Sequence, residues 1–166
     1  MLENFELLPH EAREDFVGIY ESLELQEPMK THEYILAAEA TKLIWNIRRL
    51  ERFELAILDN QRPAAAEAMF RKTLGVKGSI SVSQYFVSPE FKEKSDKDFE
   101  EAGYAPDAVE AEAYLRAMSP LATIHRQKAV DRKALVGLLK ELKLQIASRN
   151  RNKSAPPSNS SKKRAD

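Results

Sequence analysis

Cysteine is absent from this chain of 166 residues, and glycine is scarce. Without cysteine there is no disulfide, no thiolate metal ligand and no cysteine nucleophile. Five glycines are too few for a glycine-rich nucleotide-binding protein. The sequence has no run of about 18 apolar residues, and its acidic start lacks the basic and apolar regions of a secretory signal. We therefore expect a cytoplasmic protein that does not span a membrane.

Sequence motifs for catalysis or metal binding are also missing. The three histidines, His10, His32 and His125, lie near separate predicted helix starts, and no two of them have the spacing of helical metal ligands. Gly75 and Gly78 are too close together for a phosphate-binding loop, so we interpret them as a helix end and a turn. The sequence predicts a protein that is not an enzyme and uses no metal, no cofactor and no small-molecule substrate.

The net charge of zero conceals blocks of opposite sign. Residues 1–40 have 10 acidic and 2 basic side chains, whereas residues 41–77 have 4 acidic and 8 basic ones. The balance is −5 over 78–124, +4 over 125–148 and +5 over 149–166. Such blocks are typical of acidic and basic segments that pair within a fold, or of a basic surface for a polyanion. We favour internal pairing for all blocks except the last.

The clearest predicted helix runs from about Thr31 to Leu58. Apolar residues recur along it at alternating spacings of four and three, which is the pattern of a packed helix face. The stripe is wide enough to contact two partners, which predicts a bundle or a homodimer. We take six residues of this helix as its candidate interface: Leu36, Leu43, Trp45, Ile47, Leu50 and Ile57. For Trp45, the alternative of an ordinary core residue is favoured.

Shorter elements are predicted around this helix. We expect a first helix over 9–25, a helix over 63–74 after a stop at Pro63, and irregular structure over 76–106 with a short strand near Ile80. A further helix is predicted from Asp107. Ser119 and Pro120 then predict the start of a last helix that ends near residue 148.

The resulting fold class is all-α, with two long amphipathic helices in an antiparallel hairpin or small bundle and shorter covering helices. Residues 1–148 form the predicted helical domain. Residues 149–166 are rich in Arg, Asn, Ser, Pro and Lys and have too few apolar side chains to offset the entropy of ordering, so a disordered basic tail is predicted.

Two stretches carry a resemblance to a known family. One contains Trp45, Arg48 and Arg49, and the other, over 134–145, has the pattern Ala–Leu–x–x–Leu near its start and Leu–Gln at its end. Together they resemble a family of small uncharacterised bacterial helical proteins with a Trp–x–x–Arg–Arg helix and a leucine-rich helix near the C-terminus. The resemblance covers about half the chain, although glutamate stands at 51 and 54 where the family pattern has it at 53. It implies a helical fold and a bacterial origin, and no activity.

Basic residues offer a second functional hypothesis. Arg126, Lys133 and Lys140 recur every seven residues, so they line one side of a helix. The full set of candidate nucleic-acid contacts is Arg48, Arg49, Arg52, Arg126, Lys133, Lys140, Arg149, Arg151, Lys153, Lys162, Lys163 and Arg164. The leading expectation is a non-enzymatic interaction or assembly protein that binds itself or a protein partner. The alternative is an accessory protein that binds nucleic acid through these residues.

Overall fold

The computed structural model confirms the predicted all-α fold. The structure describes residues 5–23, 25, 28–75 and 79–154, and these contain helices and connecting turns without a strand. The helices are α1 (Arg13–Glu21), α2 (Thr31–Leu74), α3 (Ser79–Val87), α4 (Pro89–Glu101) and α5 (Ala108–Ser154). None of the described helices is long and apolar enough to cross a membrane.

The chain divides into two compact units, and α2 and α5 contribute to both. Unit 1 comprises the chain up to Ile47 and from Val130 onward, and unit 2 comprises Arg48–Ala129. Within each unit the two long helices run antiparallel, because contacts pair early residues of α2 with late residues of α5. The predicted antiparallel pairing of two long helices is therefore confirmed.

Unit 1 has a small aromatic core between α1 and α2. Phe16 and Ile19 of α1 are buried with Trp45 of α2. The Phe16 ring meets the Trp45 ring edge-on at 5.7 Å and stacks on Phe5 at 4.7 Å. Helix α1 is shorter than the predicted 9–25, because residues 8–11 form a turn in which Leu8 accepts from the Glu11 N–H at 2.9 Å.

Unit 2 has a larger core that joins α2, α3, α4 and α5. Its buried members are Ala65, Ala66, Met69, Phe70, Tyr85, Phe99, Val109 and Ala113. The Phe70 ring lies 5.3 Å from that of Phe99 and 5.9 Å from that of Tyr85. The predicted irregular segment with a strand near Ile80 is thus wrong, since α3 and α4 occupy most of it. The spacing Phe91, Ser95, Phe99 places one face of α4 on the core, and Ser88 caps its start by accepting from the Phe91 N–H.

Two prolines that were predicted to divide helices lie inside α2 and α5. Pro63 lacks the N–H that would close a helical turn, which costs about 3 kcal/mol in a helix interior. Ala65 and Ala66 after Pro63 are buried, as are Ala117 and Leu121 on either side of Pro120, and this packing favours the continued helices. Helix α2 ends at Leu74 and is followed by Gly75, whose φ of 64° is the left-handed conformation that glycine favours.

Candidate functional site

Two of the six residues in the predicted interface stripe on α2 are buried within the chain itself. Trp45 and Ile47 are buried, and Trp45 belongs to the aromatic core of unit 1, which is the core role favoured above. The remaining members, Leu36, Leu43, Leu50 and Ile57, are half-buried. The most exposed large apolar side chains on the two long helices are therefore residues outside the predicted interface stripe.

Arg149 is buried. The predictions that it lies in a disordered tail and that it contacts nucleic acid are therefore wrong. Helix α5 continues past it to Ser154. Its Nη1 donates to the Glu33 carboxylate at 2.7 Å and to the Pro28 carbonyl at 2.7 Å. The two charged side chains are only 6% and 0% exposed. Because an ion pair stabilises a buried charge that is otherwise costly, Glu33 holds Arg149 inside unit 1. The feature of the sequence that points to this contact is Glu33, the acidic residue in the first turn of α2.

The other predicted nucleic-acid contacts are distributed over both units. Arg49 is half-buried, and the exposed members are Arg48, Arg52, Arg126, Lys133, Lys140 and Arg151. Lys153 belongs to the last turn of α5 by its backbone. Lys162, Lys163 and Arg164 lie outside the described residues. The structure therefore brings together Lys133 and Lys140 on α5, and leaves Arg48 and Arg52 on α2 in the other unit.

Two charged residues of α5 that interrupt its apolar face have partners on α2. In unit 2, Lys128 donates to Glu54 at 2.5 Å, and His125 lies 2.8 Å from the other Glu54 oxygen. In unit 1, the Asn46 amide donates to Asp131 at 2.5 Å. These contacts explain why polar residues occur at core-facing positions of both helices.

The Glu54 cluster predicts an acid-sensitive contribution to the stability of unit 2. The hydrogen bond from Lys128, followed by that from His125, holds the pKa of Glu54 below its ordinary value of 4.5. A carboxyl with a lowered pKa in the folded state stabilises the fold above its ordinary pKa, and this stability is lost as the pH falls through the lowered pKa. Replacement by Glu54→Gln should therefore lower the free energy of unfolding by about 1 kcal/mol at pH 7 and leave it little changed at strongly acid pH. Urea unfolding at both pH values tests this, and an equal loss at both would contradict it.

An uncharged apolar stripe lies on the outer side of α5 in unit 2. We call it the neutral stripe, and it consists of the exposed residues Ala111, Tyr114, Leu115, Met118 and Ala122. Leu115 is 59% exposed and Met118 is 50% exposed. The spacings 111, 115, 118 and 122 are those of a heptad seam, whereas the core contacts of the same helix come from Val109 and Ala113. Sequence reasoning missed this stripe because it divided the helix at Ser119.

A second exposed stripe lies on α5 in unit 1 and is basic. We call it the lysine face, and it consists of Lys133, Val136, Lys140, Lys143, Leu144 and Ala147. Val136 is 68% exposed and Leu144 is 58% exposed. A shallow groove of about 590 Å³ is lined by Val136, Leu139, Lys140, Lys143, Leu144 and Ala147. The three lysines of the face make no ion pair with any described residue.

No cluster for metal binding accompanies these surfaces in the described part of the chain. No group of three histidine or acidic side chains there is placed to hold a metal ion. A pocket of about 350 Å³ near the start of α2 is lined by His32, Ile35, Leu36, Glu141 and Gln145. His32 Nε2 lies 3.1 Å from the Gln145 side-chain oxygen, so this histidine already has a hydrogen-bond partner.

The described residues form a helical protein whose distinctive feature is two exposed stripes on α5, the neutral stripe and the lysine face. Comparison with family models, with curated proteins and with solved structures finds no match for this chain. The resemblance to small bacterial helical proteins stays a prediction.

Proposed function

We propose that this chain is a non-enzymatic assembly protein of the bacterial cytoplasm that associates with a second copy of itself through the neutral stripe. The observation that carries the proposal is the exposure of Leu115 and Met118 on one uncharged face of α5. Large apolar side chains grouped on one exposed helix face are typical of an interaction site.

The absence of charge on the neutral stripe favours self-association. In a two-fold symmetric dimer the same patch lies on both subunits, so any charge on it meets its own copy. The neutral stripe brings no like charges together, and its heptad spacing suits packing against an identical helix. Because the stripe covers only about three helical turns, we expect a small interface and a weak dimer with a dissociation constant on the order of micromolar. Because burial of apolar surface drives the contact, we expect it to tolerate salt.

Sedimentation equilibrium tests this proposal. The wild-type mass should rise from 18.9 kDa toward twice that value as the protein concentration increases through the micromolar range. The variant L115E/M118E should remain a monomer, because a dimer would bury carboxylates against each other. The control V136E/L144E changes two positions on the other stripe that are at least as exposed, and it should dimerise normally. A wild type that is monomeric at every concentration would contradict the proposal.

Nucleic-acid binding is the second candidate function, and the unpaired lysines of the lysine face favour it. The test is fluorescence anisotropy of a labelled mixed-sequence duplex, titrated with salt. Micromolar or tighter binding that weakens steeply between about 50 and 200 mM salt would support this function. The variant K133Q/K140Q should then reduce both the affinity and the salt dependence. Weak binding that is the same for the wild type and for K133Q/K140Q would exclude the lysine face as a nucleic-acid site.

A further inference from the structure

We infer that the lysine face of unit 1 binds an amphipathic helix of another protein, one with apolar residues on its contact side and Asp or Glu beside them. This inference goes beyond the proposed self-association and adds a partner of defined chemistry. It concerns a different surface of α5, so the two can fail separately.

The apolar part of the surface fits a helix. Val136, Leu139, Lys143 and Ala147 follow one another at spacings of three and four, and they line a groove that runs along α5. Val136 and Leu144 project most of their side-chain surface into solvent. A partner helix that places its own apolar side chains in such a groove buries both sets at once.

The lysines of this surface determine which charge the partner helix should have. Lys133, Lys140 and Lys143 make no ion pair with any described residue, and no acidic residue is a member of the lysine face. The acidic residue within this stretch of α5, Glu141, lines the separate pocket with His32. Lysine side chains that flank an apolar seam are typical of pairing with carboxylates on the opposing helix.

The same charges disfavour a second copy as the occupant. A two-fold contact through the lysine face would bring Lys140 and Lys143 of one subunit against those of the other, and like charges held together oppose association. A nucleic acid would neutralise the lysines but would leave Val136 and Leu144 without an apolar partner. An acidic amphipathic helix satisfies both the charged and the apolar parts of the surface.

The experiment uses a fluorescent three-heptad peptide with Leu at its seam positions and Glu beside them. Full-length protein should bind it with micromolar affinity. The variant V136S/L144S should weaken binding by about tenfold or more, because it removes two of the apolar side chains of the groove. K140Q/K143Q should weaken it at low salt and less at high salt, because screening already reduces those charge interactions. A peptide with Lys in place of Glu should not bind.

The matched control is L115S/M118S, which makes the same kind of change on the neutral stripe and should leave peptide affinity unchanged. All substitutions are at exposed positions, and circular dichroism verifies that each variant keeps its helices. Failure of the acidic peptide to bind, or binding that V136S/L144S and K140Q/K143Q both leave intact, would overturn the inference. Tighter binding to the mixed-sequence duplex, or to vesicles of phosphatidylserine and phosphatidylcholine, would also overturn it. Dimerisation measured by sedimentation does not depend on any of these results.

Discussion

Phe99→Ala is expected to lower the free energy of unfolding by about 3–5 kcal/mol. The Phe99 ring is buried between α2, α3 and α5, and it contacts the rings of Phe70 and Tyr85 at centroid distances of 5.3 and 6.3 Å. Removing it leaves a cavity in the only aromatic cluster described for unit 2, and the lost contacts are not replaced. Urea unfolding followed by circular dichroism measures the loss from the midpoint and slope.

Phe86→Ala is the matched control for this prediction. Phe86 belongs to the same unit and its ring contacts Tyr85 at 5.1 Å, but it is 45% exposed, whereas Phe99 is 2% exposed. We expect a loss of no more than about 1 kcal/mol. Similar losses for both phenylalanines would show that the α3 and α4 packing described here is not the core of unit 2.

Arg149→Met is expected to cost about 3–5 kcal/mol, because it leaves the buried Glu33 carboxylate without its counter-ion. The Pro28 carbonyl loses a donor in the same change. Adding Glu33→Gln should restore part of the loss, since the neutral amide needs no counter-ion and its oxygen still accepts from the Lys30 N–H, as Glu33 does at 3.0 Å. Glu33→Gln is thus predicted to destabilise the protein by itself but to reduce the loss caused by Arg149→Met.

Urea unfolding of the two single variants and the double variant measures this coupling. Lys133→Met is the control, because Lys133 is exposed and makes no ion pair with any described residue, so its loss should be within about 0.5 kcal/mol. If the double variant E33Q/R149M were less stable than R149M, the buried ion pair would not be what holds the end of α5 on unit 1.

Much of the fold is predictable from this sequence because the long helices carry regular apolar spacing. The sequence predicts the start of α2 near Thr31 and a helix end at Gly75, although it assigns that end to a separate helix over 63–74. The predicted divisions at Pro63 and at Ser119 are wrong, because the helices continue into buried residues, Ala65 and Ala66 after Pro63 and Leu121 after Pro120. Burial depends on residues far away in the chain, which periodicity does not locate.

The segment around α3 and α4 shows a different failure. The alternation near Ile80 predicts a strand, although a few alternating residues also fit a helix with Val82 and Tyr85 on one face. Ser88 and Pro89 form the same helix-start pattern as Ser119 and Pro120, which is a capping serine followed by a proline. At Ser88 this pattern does begin a helix, α4. The candidate surfaces were harder to predict, because whether a side chain faces solvent depends on which face of α5 the partner helices cover.

Cysteine cross-linking tests directly whether two copies of the chain meet at the neutral stripe. The chain has no native cysteine, so a single Met118→Cys substitution provides one reactive thiol. We predict that mild oxidation gives a disulfide-linked dimer for M118C, and much less of it for V87C, although Val87 is the more exposed residue at 82%. Equal or faster cross-linking of V87C would mean that the copies collide at random, and it would contradict association through the neutral stripe.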